Sequence, residues 1–92
     1  MSAPRELRSI GQNIFIPHFE TFALLRDRKS IARFCVENGI SNESGAAIRA
    51  SYMENVLKDN DLLRECLTYI RERGRNTAQT KKAARLLDQL DA

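Results

Sequence analysis

Tryptophan is absent from this 92-residue chain, histidine occurs once, cysteine and proline twice each, and glycine four times. Each scarcity removes a class of protein. With only His18, Cys35 and Cys66 and no C-x-x-C pair, a four-ligand zinc site would need carboxylates gathered from distant helices, so no metal and no cofactor is expected. Two cysteines on apolar helix stripes read as small buried hydrophobes rather than a disulfide or redox pair. The glycines Gly11, Gly39, Gly45 and Gly74 form neither a phosphate-binding loop nor a dinucleotide fingerprint, and no nucleophile-elbow or metalloprotease pattern occurs. The Glu-x-x-His signature of carboxylate bundle sites is missing too, so no catalytic activity is expected. No apolar run approaches the ~18 residues needed to cross a membrane, and the N-terminus lacks the basic-then-apolar layout of a secretory signal. The expected location is cytoplasmic, with no membrane partner.

What is present describes an ordinary globular chain. Apolar residues make up 42% and charged residues 29%, enough for one helical domain over residues 1–92 that buries roughly 60–65% of its unfolded surface. The net charge is only +3, but it is unevenly placed. Residues 1–34 carry six basic and three acidic side chains, residues 35–69 three and six, and residues 70–92 six and three. If the two basic ends meet in the fold, they form one positive surface suited to phosphate or to an acidic protein; otherwise they solvate helix faces.

The periodicity predicts an all-α fold, a compact bundle of about five short helices. Pro4 suits the first turn of a helix from Arg5 to Ile10, ended by Gly11. Gln12 to Ile16 reads as extended because a residue before proline is pushed from helical angles, and Pro17 then opens a helix from His18 to Arg26. Asp27-Arg28-Lys29 breaks the pattern. Ser30 is the expected N-cap of Ile31 to Asn38, and Gly39 its C-cap. The broad stripe Ala46, Ala50, Met53 and Leu57, widened by Tyr52 and Val56, marks Asn42 to Lys58 as a central helix. Asp59 or Asn60 caps Asp61 to Arg73, which Gly74 stops, and Asn76 with Gln79 forms a capping-box pattern before Thr77 to Leu90.

One segment suggests a mechanism. Helix, Gly39 turn and helix form a helix-turn-helix-like pattern in which Cys35 is the small crossing residue, Ile40 the anchor and Ile48 a later core contact. Asn38 and Gly45 stand where such a motif buries apolar side chains. In that reading Asn42, Ser44 and Arg49, with Glu43 beside them, face the major groove and Arg28, Lys29 and Arg33 meet phosphates. A second candidate is the basic set Arg71, Arg73, Arg75, Lys81, Lys82 and Arg85, where Gly74, Asn76 and a helix N-terminus offer anion-holding groups, with Tyr69 the sole nearby aromatic. The apolar run around Phe15 and His18 either packs inward or meets a partner, a second copy of the chain included.

These features support a small nucleic-acid-binding regulator without catalytic activity, acting on DNA or RNA and DNA in particular, with dimerisation as part of that reading. The alternative is a protein-interaction module, an inhibitor, antitoxin or assembly adaptor, that covers an acidic protein surface.

Overall fold

The computed structural model describes residues 3–91, and every regular element among them is helical. Seven helices follow in order: α1 (Arg5–Ile10), α2 (Gln12–Phe15), α3 (Phe19–Leu25), α4 (Arg28–Glu37), α5 (Glu43–Lys58), α6 (Asn60–Arg73) and α7 (Thr77–Asp91). The all-α class stands; the count exceeds the expected five, and segment 12–16 is not extended. Gly11, at φ +93°, turns the chain sharply, and its carbonyl accepts from the N–H groups of Ile14 and Phe15. Ile16 keeps helical angles although a proline follows. Burial overrides the local preference: Phe15 and Ile16 are both fully buried. Adjacent residues of a strand point to opposite faces, whereas adjacent helical residues lie about 100° apart and can share one core. Pro17 lies in the exposed turn before α3, and His18 takes the N-cap position.

The starts of the later helices are chemically explicit. α4 begins three residues earlier than expected: Asp27 accepts from the Ser30 N–H at 3.0 Å, making Ser30 the third helical residue and Arg28-Lys29 the first turn. Its end is a Schellman closure, with Gly39 at φ +68°, Gly39 N–H on the Val36 carbonyl and Ile40 N–H on the Cys35 carbonyl. Asn42 caps α5 through Gly45 N–H at 2.8 Å. Asp59 is the single residue between α5 and α6, and its carboxylate accepts from the N–H groups of Asp61 and Leu62.

Helix α5 is the centre, packed against α1, α4 and α6, while α6 and α7 pair with one another. Its buried stripe, Ala46, Ala50, Met53, Val56 and Leu57, matches the sequence pattern and meets Ile10, Phe15, Phe22, Ile31, Leu67 and Ile70 in one core. Each such large side chain contributes about 1.5–3 kcal/mol through burial. The radius of gyration, 12.3 Å, equals the roughly 12 Å of a tightly packed chain this long.

Candidate nucleic-acid interface

The segment from α4 to α5 has the helix, the glycine turn and the helix, but its side chains serve the chain itself. Asn42 Oδ1 is occupied as the cap of α5. Arg49 Nε donates to the Ile10 carbonyl at 3.1 Å and Nη1 to Ser41 Oγ at 2.7 Å, so its guanidinium joins α1 to the turn and does not face a groove. Ile48, expected in the core, is 55% exposed. The outer face of α5 thus presents Ser44, Ala47, Ile48 and Asn55, with Glu43 at its start, and carries no cation before Lys58. That chemistry does not suit a helix laid against phosphates, and Asn42 and Arg49 are withdrawn as base-reading residues.

The opposite end of the sequence gives a different picture. Between residues 71 and 85 there are six basic side chains and one acidic, Glu72. Arg71, which lies 3.5 Å from Glu72, together with Arg73 and Arg75, is exposed where α6 turns into α7. Lys81 and Arg85, one helical turn apart, are exposed on α7. Among the described residues, none of Arg73, Arg75, Lys81 and Arg85 has a carboxylate within 4.0 Å. Lys82 differs from them: its ammonium lies 2.8 Å from Glu20 of α3 and its side chain is largely covered. That hydrogen bond, with the charge of Arg85 adding to it, holds the Glu20 carboxyl below the usual carboxylate range. The two basic thirds of the chain therefore do meet, but with an acid between them. Arg28, Lys29 and Arg33 are exposed on α4, whose main packing partner is α5.

Four amide side chains tie the basic turn to its surroundings. Asn76 Oδ1 accepts from the Gln79 N–H at 3.1 Å, the forward half of the expected capping box. The Gln79 side chain does not return to Asn76. Its Oε1 accepts from Gln12 Nε2 at 2.8 Å and its Nε2 donates to Asn13 Oδ1 at 3.0 Å, clasping α7 to α2. Gly74 sits in this joint with extended angles, and a Cβ there would collide with the Ile70 carbonyl and lie 2.9 Å from Thr80 Cγ2. The turn is thus held by contacts across its two sides. Gln12 and Asn13 carry no signal in the sequence, and Gln79 shows only its capping-box spacing, because no local spacing links positions 67 residues apart.

A depression of about 320 Å³ runs along α6 beneath Pro4, with Tyr69 and Arg73 at its border. Three acids, Asp61, Glu65 and Glu72, line it beside two cations, Arg64 and Arg73, so it is not a basic groove and Tyr69 gains no role as a stacking platform. Phe15 is fully buried and packs 5.7 Å from Phe19, which removes it from any partner interface. His18 is half-buried and edges Phe34 at 5.5 Å beside Phe22, as part of an aromatic cluster joining α3 to α4. Among the described residues, no three His, Cys, Asp or Glu side chains gather to hold a metal ion, and no helix is long and apolar enough to cross a membrane.

The fold and the site define a small all-helical protein with a basic helix turn tied to α2. No protein-family model matches this chain, and no curated protein or solved structure is significantly similar to it.

Proposed function

We propose that the protein is a non-catalytic nucleic-acid-binding regulator that tracks phosphates with the α6–α7 turn and the exposed side of α7, without the helix-turn-helix contacts. The observation that carries this reading is the exposure of Arg73, Arg75, Lys81 and Arg85, with no carboxylate within 4.0 Å among the described residues, on and beside a turn tied to α2 by the Gln12–Gln79–Asn13 clasp. Exposed cations release counterions on binding, a turn already tied to α2 has less backbone to order, and phosphate contacts read backbone rather than base. DNA and RNA both satisfy that chemistry.

The test is fluorescence anisotropy with a random duplex and a single-stranded RNA at about 50 and 200 mM salt, because each phosphate contact adds about 0.7–0.9 to the salt slope. Binding at the lower salt that weakens steeply at the higher, with a shallower slope in the triple variant Arg73→Ala, Arg75→Ala, Lys81→Ala, is the expected result. Absence of binding at the lower salt, or a triple variant that binds as well as the parent, overturns it. The second reading, a protein-interaction module, draws on a separate observation, the apolar groove between α4 and α5.

A further inference from the structure

Leu24 is 86% exposed, the most uncovered large apolar side chain described, while its neighbours Phe22 and Leu25 turn toward the core. The backbone beside it is strained. Arg26 stands at φ +63° and ψ −45°, the only non-glycine residue at positive φ among those described, and the Asp27 N–H donates to the Leu25 carbonyl at 2.7 Å. These are the angles and the hydrogen bond of the uncommon, strained γ-turn. The turn ends α3 abruptly, so Leu24 projects from a sharp corner with Arg26, Arg28 and Lys29 exposed after it. None of these three cations has a carboxylate within 4.0 Å among the described residues. The acids near them are engaged: Asp27 caps α4, and Glu54 accepts from the Arg28 N–H and pairs with Lys58 at 3.6 Å.

The recess of about 320 Å³ along α6 is the counterpart, and it falls at the small end of the range of ligand-sized cavities. Pro4, Thr68 and Tyr69 line it half-buried, and exposed charges edge it. Arg64 is paired with Asp91 and Glu72 lies 3.5 Å from Arg71, which leaves Asp61 and Glu65 without a cation within 4.0 Å among the described residues. Those two acids are one helical turn apart, and Arg73 stands about 18 Å along α6 from Asp61, at the other end. We propose that Leu24 of one copy inserts into the α6 recess of a second copy, with Arg26, Arg28 and Lys29 meeting Asp61 and Glu65. An apolar knob flanked by free cations and an apolar recess edged by free acids complement one another in shape and charge. The recess of the same chain does not cover Leu24, so the contact joins separate copies. A groove of similar volume between α4 and α5, over Ala32, Val36 and Ala46, is more open to solvent and covers an inserted side chain less. Knob and recess are different patches, so the contact is heterologous and builds a ring or an open chain of copies rather than a two-fold dimer. The inference needs none of the cations proposed to track phosphates, so it stands or falls apart from the nucleic-acid reading.

Sedimentation equilibrium from about 5 to 500 μM tests it, a range that brackets a weak association. The expected mass rises from the 10.5 kDa monomer and passes twice that value. Leu24→Asp weakens the association by about 100-fold, because it removes the buried leucine and sets a carboxylate against Asp61 and Glu65. Asp61→Lys with Glu65→Lys weakens it as well, by repelling the cations of the knob. Mixing the two variants is the decisive arm. The first keeps its recess and the second keeps its knob, so an equimolar mixture forms a heterodimer and nothing larger. All three substituted residues are exposed; should the charge variant lose its helical circular dichroism, Glu65→Lys alone replaces it. A monomer across the whole range, an association that survives both variants, or a mixture that stays monomeric overturns the proposal.

Discussion

Arg49 Nε donates to the carbonyl oxygen of Ile10, so a residue of the central helix closes the last turn of the first one. The final carbonyls of a helix lack intrahelical partners and carry its negative end, and a cation placed there satisfies both needs. The same guanidinium reaches Ser41 Oγ, tying the end of α1 to the turn between α4 and α5. Arg49→Ala is expected to lower stability by about 1.5–3 kcal/mol, as loss of charge-assisted hydrogen bonds does. Lysine has no planar fork to span both acceptors, so Arg49→Lys restores less than half of the loss. Urea titration measures both. Nucleic-acid affinity, measured well below the melting temperature, stays unchanged.

Gly39 and Gly74 are required for different reasons, and alanine separates them. At Gly39 nothing lies within 4 Å of a new Cβ, and the only penalty is the left-handed backbone. The cost is about 1 kcal/mol, and Gly39→Asn recovers part of it. At Gly74 the backbone is unstrained but the Cβ collides with the Ile70 carbonyl. Gly74→Ala therefore costs more than Gly39→Ala, about 2 kcal/mol or more by overpacking, and asparagine gives no relief. Thermal melts of the four variants rank them.

Stability falls on acidification through two carboxylates. Glu20 is held below its usual range chiefly by the hydrogen bond from Lys82, and Asp27 chiefly by the Ser30 backbone N–H it accepts as the cap of α4. A carboxyl depressed in the folded state binds its proton later than in the unfolded chain. Its stabilisation is complete above the unfolded value and is lost as pH falls through the lower folded one. Melting temperature should be flat near neutrality and decline below the ordinary carboxylate range. Glu20→Gln and Asp27→Asn each flatten that decline. An identical acid limb in the double variant would assign the effect to other groups.

Both thiols are buried and free. Burial pushes Cys66 up to about 12, with the charges of Glu6 and Glu65 adding to it, and raises Cys35 against the opposing pull of Arg49. The thiolate is the reactive form. Neither residue should react with a thiol reagent at neutral pH in the native state, and both should react together on unfolding. Early release of one thiol would show a local opening of the helix that carries it.

Much of this architecture is legible residue by residue. The stripe of α5, the cap at Asp59, one half of the box at Asn76 and the turn at Gly39 are local features whose partners lie within a few positions. What escaped has causes that sequence spacing does not contain. Asp27-Arg28-Lys29 reads as a break in the apolar pattern, yet Asp27 is the cap of α4 and Arg28 and Lys29 form its first turn, because a cap and a solvated first turn need no apolar residue. The proline after segment 12–16 favours extended angles, while the burial of Phe15 and Ile16 decides its shape. At the candidate interface, the basic composition of residues 71–85 was visible, but the partner of Lys82 and the clasp on Gln79 join positions more than sixty apart in the chain.

The clasp between α2 and α7 also orders events in time. Gln12 leaves the ribosome 67 residues ahead of the side chain it must meet. Closing so long a loop is entropically slow, and its return comes only when the far end arrives. The basic turn consequently acquires its fixed geometry last, so a nascent chain shows its cations to the cell before it can present them as a surface.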